Sequence, residues 1–157
     1  VPDDDAIMES LAFDTKFHNV DALVETLPEN VLQFDKLNAF SNVIQSSVEA
    51  SPTLRHYALN LWRATKTPTA YGVKVSGVDM NRLVLSGASP RGMSMMLRAA
   101  RVNAWLNNRE SVLPEDIHAV FHSTVAHRLV FSPVYEMRRT EIARELLTGI
   151  VNAVAAP

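Results

Sequence analysis

The sequence predicts an all-α protein, a helical bundle of about five to six helices with room for one small β-hairpin in 67–88. Three observations carry this. Apolar residues recur at helical spacing in each long segment between breakers. A serine followed by proline, an N-cap and then the imino acid favoured at the first helical position, occurs at Ser51-Pro52, Ser89-Pro90 and Ser132-Pro133. Of only five glycines, four (Gly72, Gly77, Gly87 and Gly92) fall within about twenty positions, which leaves one loop-rich middle between two helical parts.

The first helix is expected over Asp4 to Phe13, with Asp3, Asp4 and Asp5 at its positive end and Ile7, Met8 and Leu11 on one stripe. A shorter stretch, Val20 to Leu27, ends at Pro28. A long helix begins near Asp35, where Leu37, Phe40, Val43, Ile44 and Val48 keep helical spacing. The Ser51-Pro52 helix carries Leu54, Tyr57, Ala58, Leu61 and Trp62 on one face and ends near Lys66, before Pro68. From Tyr71 to Gly77 the chain alternates like a short strand, with Arg82 to Gly87 as the candidate partner.

The longest helix opens at Ser89-Pro90 and reaches the neighbourhood of Asn108. Its apolar residues, from Met93 and Met96 through Ala100 and Ala104 to Trp105, cover more than one stripe, as in a helix with neighbours on several sides. Pro114-Glu115-Asp116 starts the next, with Ile117, Val120, Phe121 and Val125 turned inward. Ser132-Pro133 starts the last, which presents Ile142, Leu146, Leu147, Ile150, Val151 and Val154. The expected organisation is one domain, 1–157: a leading helix and linker (1–33), bundle helices with an inserted loop at 67–88 (34–131), and a C-terminal helix (132–157).

Composition narrows the function. A chain of 157 residues fits one domain, and 47% hydrophobic with 20% charged residues excludes a long disordered tail. Fifteen Lys and Arg against seventeen Asp and Glu exert no strong pull toward nucleic acid or a membrane surface. The balance is uneven, however. Residues 1–85 hold seven basic and eleven acidic side chains, and residues 86–157 hold eight and six, so an anion is better received by the second part. With no cysteine, disulfides, zinc–thiolate sites and thiol catalysis are excluded, and a cytoplasmic location is expected. No apolar run approaches the ~20 residues of a membrane helix. The chain opens on Val1 rather than Met, as expected of a piece of a longer protein.

The run Gly87-Ala-Ser-Pro-Arg-Gly92, followed by Leu97-Arg-Ala-Ala-Arg101, is the most informative. Ser89 caps a helix whose first amides point outward, and Arg91 sits in its first turn. Helix N-termini attract anions, and a guanidinium grips phosphate through two parallel hydrogen bonds. A cation at this end opposes the helix dipole by under ~1 kcal/mol, which asks for another reason to place it there. The local pattern alone is equally compatible with a surface arginine beside an ordinary cap.

Gly87-Ala-Ser-Pro-Arg, Leu97-Arg-Ala-Ala-Arg, Val112-Leu-Pro-Glu-Asp-Ile and Ala126-His-Arg-Leu129 occur in this order and spacing. Together they resemble the C-terminal lid of MoxR-type AAA+ ATPases over roughly residues 30 to 130. Phe34-Asp-Lys-Leu through Thr65 is similar to the earlier helices of that lid. The resemblance implies that Arg91 is the sensor-2 residue, reaching the terminal phosphates of a nucleotide beside Ser89. It implies ATP and Mg2+ in the full-length protein, a core domain of the same chain, and neighbouring subunits in a hexameric ring. A partner with a von Willebrand factor A domain and chaperone-like remodelling or maturation of other proteins are implied as well. Departures are Leu113, where the family usually has a capping Thr or Ser; Lys66, where it often has Arg; and a longer 67–88 segment.

There is no G-x-x-x-x-G-K-[ST] run and no apolar strand ending in Asp-Glu, so these residues alone are not expected to hydrolyse ATP. Two alternatives stay open: the lid of a chelatase-like or DNA-directed AAA+ motor, and a helical protein-interaction module without a nucleotide role. Other residues favour plainer readings. His118 and His122 stand at i, i+4, a spacing that suits a metal, but lack further ligands, so packing is favoured and no metal site is expected. His127 with Arg128 suggests a structural or interdomain role. Arg98 and Arg101 either extend a basic stripe from Arg91 or form a solvated face, the latter favoured. Arg138 and Arg139 read as solvated. Met93, Met95 and Met96, like Trp62 and Trp105, read as core.

Overall fold

The computed structural model describes residues 4–27 and 33–157. Two compact units divide the chain, 1–38 and 39–157.

In the first unit, α1 (Asp5–Phe13) starts where Asp4 accepts a hydrogen bond from the Ala6 amide at 3.0 Å. Asn19 does the same for Ala22 at 3.2 Å and opens α2 (Val20–Glu25). Neither helix has a buried residue; the expected stripe of Ile7, Met8 and Leu11 is exposed. Asp3 and, within the expected linker, residues 28–32 lie outside the described residues.

Helix α3 (Leu37–Ser47) leads into the second unit. Its expected stripe is buried only at Ile44 and, just beyond its end, Val48; Phe40 and Val43 are exposed. Helix α4 (Pro52–Lys66) begins as its Ser-Pro signal predicts, Ser51 Oγ accepting from the Leu54 amide at 3.1 Å. Leu54, Tyr57, Ala58 and Leu61 are buried as expected. After the short α5 (Met80–Leu83) come β1 (Val84–Ser86), α6 (Pro90–Leu106), α7 (Pro114–Val125), β2 (Val130–Phe131) and α8 (Arg139–Ala153). The all-α class holds, with six helices of nine or more residues, two shorter ones and one small antiparallel pair among the described residues.

The buried stripe of α6 is Gly92, Met96, Ala100 and Ala104, a strict four-residue step that brings α7 against it through Ile117, Phe121 and Val125. Helix α8 closes the core with Ile142, Leu146, Leu147 and Ile150. The connections are tied to each other: the Glu49 amide donates to the Glu110 carbonyl and the Val112 amide to the Glu49 carbonyl, both at 2.8 Å.

Four expectations need correction. The Tyr71–Gly77 segment is not a strand. Its alternation arises because Val73 and Val75 are buried, Val73 beside Gly149 of α8, where an added Cβ would stand 2.9 Å from Val73 Cγ1. Strand β1 instead pairs with β2, Val84 opposite Phe131 and Ser86 opposite Val130. Ser132-Pro133 does not open α8; it opens a 3-10 stretch, Pro133–Arg138, in which Ser132 makes no side-chain cap bond and its carbonyl accepts from the Tyr135 amide at 2.9 Å. Trp105 is not core. It follows Ala104 by one position, which rotates it ~100° off the buried stripe, and it lies 40% exposed with its ring edge-on to Phe40 at 5.5 Å. Of the three methionines only Met96 is fully buried; Met95 is exposed.

Candidate functional site

The turn Gly87–Gly92 sits on the last turn of α4. Trp62 Nε1 donates to the Ala88 carbonyl at 2.6 Å, and the Ala88 amide donates to Thr65 Oγ1 at 3.1 Å. Thr65 Oγ1 in turn donates to the Trp62 carbonyl at 2.7 Å. Ala88 and Thr65 are both buried, so these bonds are shielded from water. Gly87 is required by proximity: a Cβ there would lie 2.7 Å from the Thr65 carbonyl oxygen and 2.8 Å from Lys66 Cα. Lys66 stretches over the Trp62 ring, its Nζ 4.2 Å from the centroid.

Ser89 then caps α6, its Oγ accepting from the Gly92 amide at 3.3 Å. Pro90 takes the first helical position and Arg91 the next. Arg91 is exposed and makes no hydrogen bond or ion pair with a described residue. Gly92 gives room to a second cation, Arg128. A Cβ at 92 would meet Arg128 Cδ at 2.9 Å, and Arg128 Nε donates to the Thr124 carbonyl at 3.0 Å. Ser89 and Arg91 are thus brought together on one turn, with Lys66 and Arg128 beside its two glycines. Such a constellation can accept a phosphate: an unpartnered guanidinium at a helix start, with no carboxylate bonded to it among the described residues.

The other candidates are engaged elsewhere. Arg101 leaves the proposed basic stripe: its Nε donates to the Val48 carbonyl at 3.0 Å and its Nη1 to Gln45 Oε1 at 3.4 Å, fastening α6 to the end of α3. Arg98 remains exposed, and its backbone carbonyl receives Gln45 Nε2 at 3.1 Å. Arg139 is not a solvated residue; its Nη2 donates to the Leu129 carbonyl at 2.7 Å. Arg138 is exposed and forks onto Glu141 at 3.0 and 3.2 Å. This bond and the attraction of the guanidinium hold the Glu141 carboxyl below the usual range.

His118 Nε2 lies 2.6 Å from the Tyr57 hydroxyl, whose pKa burial raises. His122 and His127 are exposed. Among the described residues no three His, Cys, Asp or Glu side chains gather to hold a metal. No helix of the described residues is long and apolar enough to cross a membrane.

Two features were not anticipated from the sequence. One is the Trp62–Ala88–Thr65 clamp, which joins residues 23 and 26 positions apart. The other lies at the far end of α6. Asp116, fully buried, accepts from Asn103 Nδ2 at 2.8 Å, from Arg109 Nη2, and from the Leu113 amide at 2.9 Å. Leu113 offers no side-chain acceptor to α7, but the acid three residues on holds the Leu113 amide, the reciprocal half of a capping box and legible in Leu-Pro-Glu-Asp.

The AAA lid domain family matches residues 80–147, the stretch from α5 into α8. The protein MoxR of Methylorubrum extorquens is 42% identical over 156 residues, covering 99% of this chain and 46% of that relative. Chaperone MoxR1 of Mycobacterium tuberculosis is 31% identical over 102 residues, 64% of this chain and 26% of its own length. The crystal structure of a candidate ATPase from Cytophaga hutchinsonii superposes with a TM-score of 0.65 at 31% identity, over 74% of this chain and 33% of that one. The helices that carry the Arg91 turn and the Asp116 network are thus those of an AAA lid domain. More narrowly, this is a lid domain of the MoxR-type AAA+ ATPases. The chain spans less than half the length of each of these relatives.

Proposed function

We propose that this lid serves a cytoplasmic, hexameric AAA+ ATPase and that Arg91 is its sensor-2 residue, acting on nucleotide held by a core domain outside these 157 residues. The observation that supports this reading is the state of Arg91, exposed and unpartnered on the first turn of α6 while the turn before it is clamped. ATP with Mg2+ in the core supplies the γ-phosphate and the free energy of its hydrolysis. Arg91 donates from the lid to that phosphate, with Ser89 holding the helix start in shape. While the bond lasts, lid and core share one relative position; once its acceptor is lost, Arg91 no longer holds the lid, which rotates. Helix α6 packs against both α4 and α7, so a turn at its start moves the bundle as one lever. This motion drives chaperone-like remodelling or maturation of partner proteins, in keeping with the description of one relative as a chaperone. A protein with a von Willebrand factor A domain is the partner class the family resemblance suggests.

The test is Arg91→Ala in the protein that carries its core. ATP turnover should fall about 10²-fold or more, against the ~10³–10⁵-fold that transition-state arginines supply, with the lid still folded. Unchanged turnover would refute the assignment.

A further inference from the structure

We infer that Trp62 and Thr65, at the end of α4, are positioning residues for Arg91; this rests on the sensor-2 reading above. Ala88 stands three residues before Arg91. Both of its backbone polar groups are taken by α4, the carbonyl by the Trp62 indole and the amide by the Thr65 hydroxyl. The hydroxyl is used in both roles, accepting from Ala88 and donating to the Trp62 carbonyl, which fixes its proton and closes a ring of three hydrogen bonds. Gly87 adds contact on the other side, its α-carbon too close to Thr65 and Lys66 to admit a methyl group.

A helix entered through a glycine and ending a loop ordinarily has a joint at that glycine, free to swing. Here the joint is locked. Beyond pairing both polar groups of the buried Ala88, as any fold requires, the lock fixes the chain just ahead of α6. The indole N–H is consumed on the carbonyl of Ala88, the residue just before the Ser89 cap that opens α6. What the lock secures is aim: Arg91 is long, exposed and unbonded among the described residues, so the direction in which its backbone launches it governs where it reaches. Misplacing a reacting or stabilising group by ~1 Å can cost about 10²-fold in rate.

The test combines substitutions in the protein carrying its core with hydrogen exchange on the 157-residue chain. Trp62→Phe and Thr65→Val each should lower ATP turnover about tenfold, a fraction of the misplacement cost, with a smaller change in the KM for ATP. Thr65→Ser, which keeps the hydroxyl, should restore turnover. In the Arg91→Ala background neither Trp62→Phe nor Thr65→Val should lower turnover further, since the group they aim is gone. Amides Ala88 and Gly92 should exchange about tenfold faster in both variants while those of α7 stay protected. Losses that multiply with Arg91→Ala, or exchange that rises throughout the bundle, would make the clamp merely structural and overturn the inference. If Arg91→Ala reduces turnover but Trp62→Phe and Thr65→Val do not, the sensor-2 reading stands and the positioning role falls. If Arg91→Ala turns over ATP normally, both fall.

Discussion

Helix α6 carries an arginine at or near each end, and the two are used in opposite ways. Beyond its C-terminus, Arg109 is spent on structure: it meets the buried Asp116, which Asn103 and the Leu113 amide also bond. At its N-terminus Arg91 has no partner among the described residues, although Ala88, three residues before it, is clamped to α4. A buried acid must be satisfied or the fold suffers; a cation held out to water on a rigid mount is available for a ligand. The difference separates a fold residue from a candidate site residue without reference to any relative.

The largest effect on stability should come from Asp116→Ala. It leaves Arg109, Asn103 and the α7 start without their shared acceptor and should cost about 3 kcal/mol, read as a fall in urea midpoint at unchanged m-value. A stability like that of the unsubstituted chain would erase the contrast between the two ends. Gly87→Ala should come next. Two of the three atoms its Cβ would strike are backbone atoms of Thr65 and Lys66, so relief requires moving α4 from α6. The expected cost is about 1–3 kcal/mol, and a neutral melting curve would show the joint to be looser than described.

The smallest effect concerns an exposed pair outside α6. Arg138 depresses the Glu141 carboxyl, so whatever the pair contributes is present above the ordinary carboxylate range and lost as pH falls through the depressed value. Arg138→Ala should move the Glu141 titration upward toward its ordinary range, followed by NMR. The melting temperature should hardly change, because exposed ion pairs contribute little. A titration left in place would mean that Arg138 is not the cause.

The same comparison shows what was legible in the sequence. Local signals served well where local forces decide: Ser51-Pro52 and Ser89-Pro90 cap α4 and α6, and the apolar spacing of α7 and α8 names their buried faces. Ser132-Pro133 carries the same dipeptide yet opens a 3-10 stretch; its hydroxyl makes no cap bond there, and its amide is tied to Leu83 in a distant part of the chain. The β1–β2 pairing joins segments more than forty residues apart, and the alternation at Val73 and Val75 reflects burial rather than a ladder. Trp105 is strongly hydrophobic yet stands ~100° round the helix from the buried stripe, so its residue type alone points the wrong way. Around the candidate site, the part proposed for Arg91 comes from the family resemblance, whereas the Ser89 cap was legible in the Ser-Pro pattern. Trp62 and Thr65 were not, because their role exists only once α4 and the turn before α6 meet.

The central claim is that Arg91 is held ready for a ligand rather than for the fold. It is tested most directly by measuring melting temperature and ATP turnover together for Arg91→Ala in the protein carrying its core. The account predicts stability within about 0.5 kcal/mol of the unsubstituted protein, as for a surface change, with turnover largely lost. Retained turnover, or a loss of stability resembling that of Asp116→Ala, would contradict it.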